Sequence, residues 1–379
     1  MGPLEGVRVI ELAGLGPAPF CGMVLADLGA EVIRVDRVSD VIGSPTATTR
    51  FDLHNRGKLS IGVDLKHEGG RQVLLDLAAR ADALIEGFRP GVTERLQLGP
   101  AECLARNARL VYGRMTGWGQ EGPLAKSAGH DIDYIALSGA LHATGPADSP
   151  IPPLNLVGDY GGGGMLLAVG VLAAIIQVVS TGKGQVVDAA MVDGSALLTT
   201  ATHGFLAEGS WVDRRESNLL DGGAPFYSVY ETSDGRHMAV GALEPQFFGE
   251  LLDGLGIDPV AVGDQTDRSS WPRLRSVFEE TFKTRTRQEW EDMFEGRDAC
   301  VAPVLSLSEA PSHPHNSHRG TFVTVDGVIQ PAKAPRFSAT KREHPTPPSF
   351  PGSDTDRVLA SLGYSQEQIG MLRAKAAVA

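Results

Sequence analysis

Apolar residues in the first hundred positions fall into short runs separated by stretches with helical spacing. Residues 7–12 form one run, followed by the turn-rich Gly14–Pro19 and a helical stretch to Leu28. Gly29 closes that helix, as glycine just past a helix end commonly does, and residues 31–36 make the next strand. The alternation continues with strands over 59–65, 83–86 and 110–115, and helices over 70–80 and 102–107. Short strands joined by helices imply crossover connections, hence an α/β fold with a mostly parallel sheet. Three further helices are predicted over 131–143, 165–179 and 194–207, with a strand over 185–190 between the last two. The most apolar run, 165–179, holds 15 residues. A bilayer span needs roughly 20, so a buried helix is expected and membrane insertion is not.

The pattern changes after Trp211. A polar stretch leads to residues 226–231 and 237–242, which flank Asp234–Gly235 as a hairpin signal. Helices over 246–255, 271–282 and 287–294 and a strand over 300–305 follow. Residues 222–308 thus read as a smaller α+β domain. Residues 311–320 read as loop, and the C-terminal stretch as two short helices broken at Gly363.

Composition narrows the partners. The 379 residues carry a net charge of −12 without a Lys/Arg-rich tract, which argues against nucleic acid as a partner. Three widely spaced cysteines favour neither a disulfide framework nor a zinc site, and a cytoplasmic location is expected. No basic flank precedes an apolar stretch at the start, so no secretory signal is read there. The 46 glycines and 24 prolines gather in Gly14–Pro19, 87–91, 117–123 and 158–164.

Several polar residues in or beside such loops are candidates for chemistry. Gly14–Pro19 follows a strand, opens a helix, and precedes Asp36 by about twenty residues, which mimics a dinucleotide fingerprint. Pro19 replaces the third glycine, however, and Arg34 and Arg37 flank Asp36. A strand–helix–strand unit without NAD is the better reading. His130 stands where a helix begins, with Asp131 either capping it or in its first turn. Asp159 precedes four glycines whose N–H groups could face a ligand. Glu244 ends a strand just before Pro245. Each has an ordinary alternative as a helix cap or first-turn residue. His313, His315 and His318 lie among prolines that spoil a metal-binding face, so no metal is expected. Ser195 and His203 share one predicted helix without a nucleophile elbow.

Taken together, VRVIELAGLGPAPFCGMVLADLGAEVIRVDR, IEGFRPGV, RMTGWGQEGP, AGHDIDYIALSG, PPLNLVGDYGGGGM, GKGQVVDAAMVDG, LDGGAPFYSVYETSDGRHMAVGALEPQF and LGYSQEQIGMLR resemble the class III CoA-transferase superfamily. Within it they resemble the α-methylacyl-CoA racemases most. The resemblance implies two-base proton transfer at the α-carbon of a 2-methylacyl-CoA, without a cofactor beyond the CoA of the substrate. His130, assisted by Glu244, would serve one face and Asp159 the other, with the Asp131 N–H at the enolate oxygen. It also implies CoA contacts from Arg37, from Val63, Asp64, Leu65 and Lys66, and from Gly87, Phe88, Arg89 and Arg95. Gly129, Asp131, Ile132, Asp133 and Tyr134 would lie along the pantetheine arm and thioester. Asp133 stands where related racemases often carry asparagine.

The fold implied is a Rossmann-like large domain from both chain ends, residues 1–205 and 309–379. A linker over 206–221 and the small domain over 222–308 complete it. Two such chains would interlock as a homodimer, so that Glu244 reaches His130 of the other chain. The nearest rival is a CoA-transferase in which Asp159 is the nucleophile; an NAD-dependent dehydrogenase, resting on Gly14–Pro19 alone, is more remote.

Overall fold

Six short strands build one parallel sheet: β1 (Arg8–Leu12), β2 (Glu31–Asp36), β3 (Leu59–Gly62), β4 (Ala83–Glu86), β5 (Val111–Thr116) and β6 (Val186–Ala190). The computed structural model that shows this describes residues 2–43, 46–341 and 343–379. Both faces of the sheet are covered, which is why its strands read as nearly unbroken apolar runs. The two-residue period assigns alternate side chains to two cores. Ile10, Leu12, Ile33, Val35, Leu84 and Tyr112 face one side, and Val9, Val32, Ala83, Ile85, Val111 and Met115 the other.

The strand order is β3-β2-β1-β4-β5-β6. Connections leave β1 in one direction and β4 in the other, which opens a crevice outside their carboxyl ends, the usual ligand position in such sheets. The far end of the chain seals the β3 edge. Asp354 accepts the Ser60 N–H (2.9 Å), and the Ala379 N–H donates to the Gly62 carbonyl (3.1 Å). An edge covered in this way offers no free pairing groups.

The described chain divides into two compact units: residues 2–138, 154–198 and 314–379 carry the large sheet, and residues 139–153 and 199–313 form the second. The second unit has an antiparallel sheet of β7 (Tyr227–Glu231), β8 (His237–Gly241) and β9 (Val301–Pro303). Helices Pro245–Leu255, Trp271–Phe282 and Arg287–Phe294 contribute Phe248, Phe278 and Trp290 to its core.

Five local readings need correction. The single helix expected over 194–207 is two, Met191–Leu198 and Thr200–Glu208. The helix starting at Asp131 ends at Leu137, not at 143, because Gly139 (φ +85°) turns the chain. The glycine-rich stretch before 165 is not an open loop. It is a wide, π-type helix, Leu156–Met165, continuous with the helix Leu166–Thr181. Its glycines face the helix Met191–Leu198 at backbone contact: a Cβ on Gly194 would stand 1.8 Å from the Gly162 carbonyl oxygen. Residues 311–320 include a short helix, Pro314–Arg319, opened by its proline. Finally, β10 (Phe322–Val325) and β11 (Val328–Pro331) form a hairpin where no strand was expected. Its turn residues Asp326 (φ +49°) and Gly327 (φ +74°) are the Asp-Gly pair such turns favour.

The apolar helical stretch Leu156–Thr181 is long enough to cross a bilayer. In the fold it lies against the large sheet, with Leu167, Val171, Ala174 and Val178 buried in that core.

Candidate active site

Two cavities open at the carboxyl ends of the parallel strands, on either side of the switch point. The first, of about 490 Å³, is lined by Gly16 and Pro17 after β1, Gly87 to Pro90 after β4, and Gly117 and Trp118 after β5. His130, Asp159, Tyr134, Asn155, Tyr160 and His54 complete its polar and aromatic wall. The second, of about 930 Å³, lies at the ends of β2, β3 and β4 and is lined by Arg37, Val63 to Lys66 and Arg95. Phe88 and Arg89 line both, so the two cavities adjoin.

His130 caps the helix Asp131–Leu137 from extended backbone and exposes its imidazole. The His130 backbone N–H donates to the Asp133 carboxylate (2.9 Å), so Asp133 serves the cap and faces neither cavity. Ile132 is likewise exposed and lines neither. Asp131 occupies the first turn, with its carboxylate turned inward and buried. Oδ1 accepts the backbone N–H of Asp159 (2.7 Å), while Oδ2 has no partner among the described residues. Burial raises the Asp131 pKa; the hydrogen bond from Asp159 opposes that shift. The residue after His130 thus grips the backbone of Asp159, which fixes the two candidate bases relative to each other.

Asp159 is half-buried in the first turn of the π-type helix, whose cap is Asn155. Asn155 donates to Asp159 Oδ2 (3.0 Å). Gly16 (φ +70°) brings the loop after β1 so close that a Cβ there would stand 3.3 Å from the same oxygen. On the other wall, the Tyr134 hydroxyl donates to the Gly129 carbonyl (2.5 Å), and its ring meets Trp118 edge-on at 4.8 Å. Gly117 leaves room for that ring, since a Cβ would lie 2.1 Å from it. Burial raises the Tyr134 phenol to about 12, so it stays a neutral donor at physiological pH.

The second cavity is cationic. Asp36 is buried and already engaged by Arg34 Nε (2.7 Å) and Ser60 Oγ (2.5 Å), so it is not a free acid for a ribose. Arg37, Lys66, Arg89 and Arg95 are exposed, and among the described residues none has an ion-pair partner. Glu244 belongs to the second unit, where it is the exposed cap of the helix Pro245–Leu255. Sequence reasoning assigned no role to Asn155, although it stands one helical turn before Asp159, the spacing at which side chains meet. It also passed over His54, which lies in a polar stretch without any periodic signal.

The loop after β4 is tied down by a buried carboxylate. Glu86 accepts the Phe88 N–H (2.6 Å) and Arg114 Nε (3.1 Å), and Arg114 reaches on to Glu94 (2.7 Å). Burial pushes the Glu86 carboxyl from the ordinary 4.5 up to about 7. A raised folded-state pKa means that the folded state holds its proton longer than the unfolded one. The stability tied to that proton is complete below about pH 4.5 and is lost as pH rises through about 7. Glu86→Gln, which cannot ionise, therefore gains on the wild type in thermal stability from pH 5 to pH 8. A difference in melting temperature that stays constant over that range would sink this expectation.

Comparison with known proteins adds four findings. The family described as CoA-transferase family III matches residues 4–355. Alpha-methylacyl-CoA racemase of Mus musculus is 46% identical over 374 residues, covering 97% of this chain and 95% of that protein. The Homo sapiens protein of the same name is 44% identical, with 97% and 96% covered. The crystal structure of a CAIB/BAIF family protein from Brucella suis superposes with a TM-score of 0.81 at 26% identity, covering 95% of this chain and 99% of that one.

Proposed function

This chain belongs to CoA-transferase family III, and on that premise we propose that it is an isomerase interconverting (2R)- and (2S)-2-methylacyl-CoA. The observation that carries the reading is that His130 and Asp159 line one cavity while Asp131 holds their backbones together. Inverting a carbon centre needs one group to take the α-proton and a second to return a proton to the opposite face. A histidine and a half-buried aspartate that accepts a hydrogen bond from Asn155 supply such a pair from the chain itself. The enolate between the two steps requires a donor at the thioester oxygen. The Asp131 N–H, in a first helical turn where amides lack intrahelical acceptors, suits that charge.

Arg37, Lys66, Arg89 and Arg95, without an ion-pair partner among the described residues, supply cations for the phosphates of CoA in the adjoining cavity. A homodimer, with Glu244 reaching His130 of the other chain, fits the apolar positions left exposed on one helix: Val169, Ile176 and Val179. The much higher identity to the racemases than to the mouse Succinyl-CoA:glutarate CoA-transferase, at 30%, favours proton transfer over acyl transfer.

A single enantiomer of a 2-methylacyl-CoA, incubated in D₂O with no acceptor acid, tests this. The α-proton exchanges and the centre inverts. Transfer of CoA to an added carboxylate without exchange would replace the proposal by the transferase reading, with Asp159 as nucleophile.

A further inference from the structure

We propose that His54 is a positioning residue for Asp159, acting through the ring of Tyr160. This assignment rests on the two-base reading above. After Tyr160 the turn that carries Asp159 has no side chains of its own: residues 161–164 are glycines, which pack by backbone alone against the helix Met191–Leu198. The side chain next to Asp159 that can hold this turn is Tyr160. Its ring packs on Phe20 at 4.8 Å and on His54 at 5.3 Å, while Phe20 and His54 meet edge-on at 5.9 Å. Three rings thus clamp the turn from the residue adjoining the base. Contacts of this kind contribute beyond simple burial.

The clamp has a fixed base. His54 sits on the 3₁₀ turn Leu53–Asn55, and the next residue, Asn55, is buried and accepts a hydrogen bond from Lys58 (3.0 Å). Lys58 is itself held by Glu11 and donates to the Pro19 carbonyl beside Phe20 (2.9 Å). One buried lysine therefore ties together the segments that present His54 and Phe20. His54 also lines the catalytic cavity. Burial, with the Lys58 charge behind it, lowers its pKa, so it stands there as a neutral ring suited to packing.

The test separates positioning of one base from general damage. Each enantiomer of a 2-methylacyl-CoA is incubated alone in D₂O with wild-type enzyme, and initial α-proton exchange is followed by NMR. Asp159→Asn and His130→Ala identify which enantiomer meets which base. In His54→Ala, exchange from the enantiomer that meets Asp159 falls about 10- to 100-fold relative to exchange from the other, the scale of a misplaced catalytic group. His54→Phe, which keeps a ring, recovers most of that ratio. The ratio of two rates cancels the amount of folded enzyme. Tyr160→Leu shifts it in the same direction and serves where His54→Ala does not fold. An unchanged ratio in these variants, or a phenylalanine no better than alanine, overturns the assignment to His54. Absence of exchange in the wild type overturns the racemase reading itself, and the assignment with it.

Discussion

Replacing His130 by alanine lowers racemisation on the order of 10²–10⁴-fold, the range for loss of a positioned acid–base group. Exchange of the α-proton persists from the enantiomer that Asp159 deprotonates. In the proposed two-base mechanism the groups serve opposite faces, so removing one leaves the other able to form the enolate and return a solvent-derived proton to the same face. Asp159→Asn produces the mirror image, with exchange surviving only from the other enantiomer. The fold gives little reason to attribute the loss to unfolding. The helix cap rests on the Asp133 carboxylate and the His130 backbone N–H, which alanine retains, and the imidazole is exposed. Stereospecific exchange in D₂O, followed separately for each enantiomer, reads all of this. A His130→Ala enzyme racemising at the wild-type rate would remove His130 from the mechanism.

The parallel sheet was legible because its strands are buried on both faces. Ile10, Ile33 and Leu84 on one side, with Val9, Val32 and Ala83 on the other, give apolar runs that buried charges such as Glu11 and Arg34 interrupt only singly. The gathering of His130, Asp159 and the Gly87–Arg89 loop was accessible through the family resemblance and through helix-start signals at each position. Three features were not. The glycines at 161–164 read as loop because glycine disfavours helices by propensity. Only the tertiary contact between Gly162 and Gly194 explains why they are helical here. The position of Asp131 was ambiguous between cap and first turn, and its bond to Asp159, 28 residues on, has no local signature. His54 reaches the cavity because a buried ion pair elsewhere fixes its turn, and a sequence does not announce which of its charges are buried. The Asp326–Gly327 hairpin is different: its signal was in the sequence and was overlooked.

That buried pair sets the largest stability effect. Glu11 lies within β1 and is fully buried, and Lys58 Nζ meets both of its oxygens, at 2.7 and 2.8 Å. Burial raises the Glu11 pKa and lowers that of Lys58, so each group depends on the other to remain charged. Lys58→Met strands the carboxylate, and breaking such a pair costs about 3–5 kcal/mol. Against a net stability of about 5–15 kcal/mol, this is a large share, visible as a drop in the urea midpoint. Adding Glu11→Leu removes the stranded charge and restores much of the loss, because an apolar pair of similar volume is often neutral or better. Recovery is incomplete, since the Pro19 carbonyl and Asn55 Oδ1 lose their donor, at about 1–3 kcal/mol for each buried acceptor left unpaired. Activity separates the structural part from the functional one. The same lysine fixes the segment bearing Gly16 and Pro17 and the turn bearing His54, all in the wall of the cavity that holds His130 and Asp159. The double variant therefore regains stability without regaining its full rate. A double variant with wild-type kinetics would reduce the pair to a fold element with no part in shaping the site.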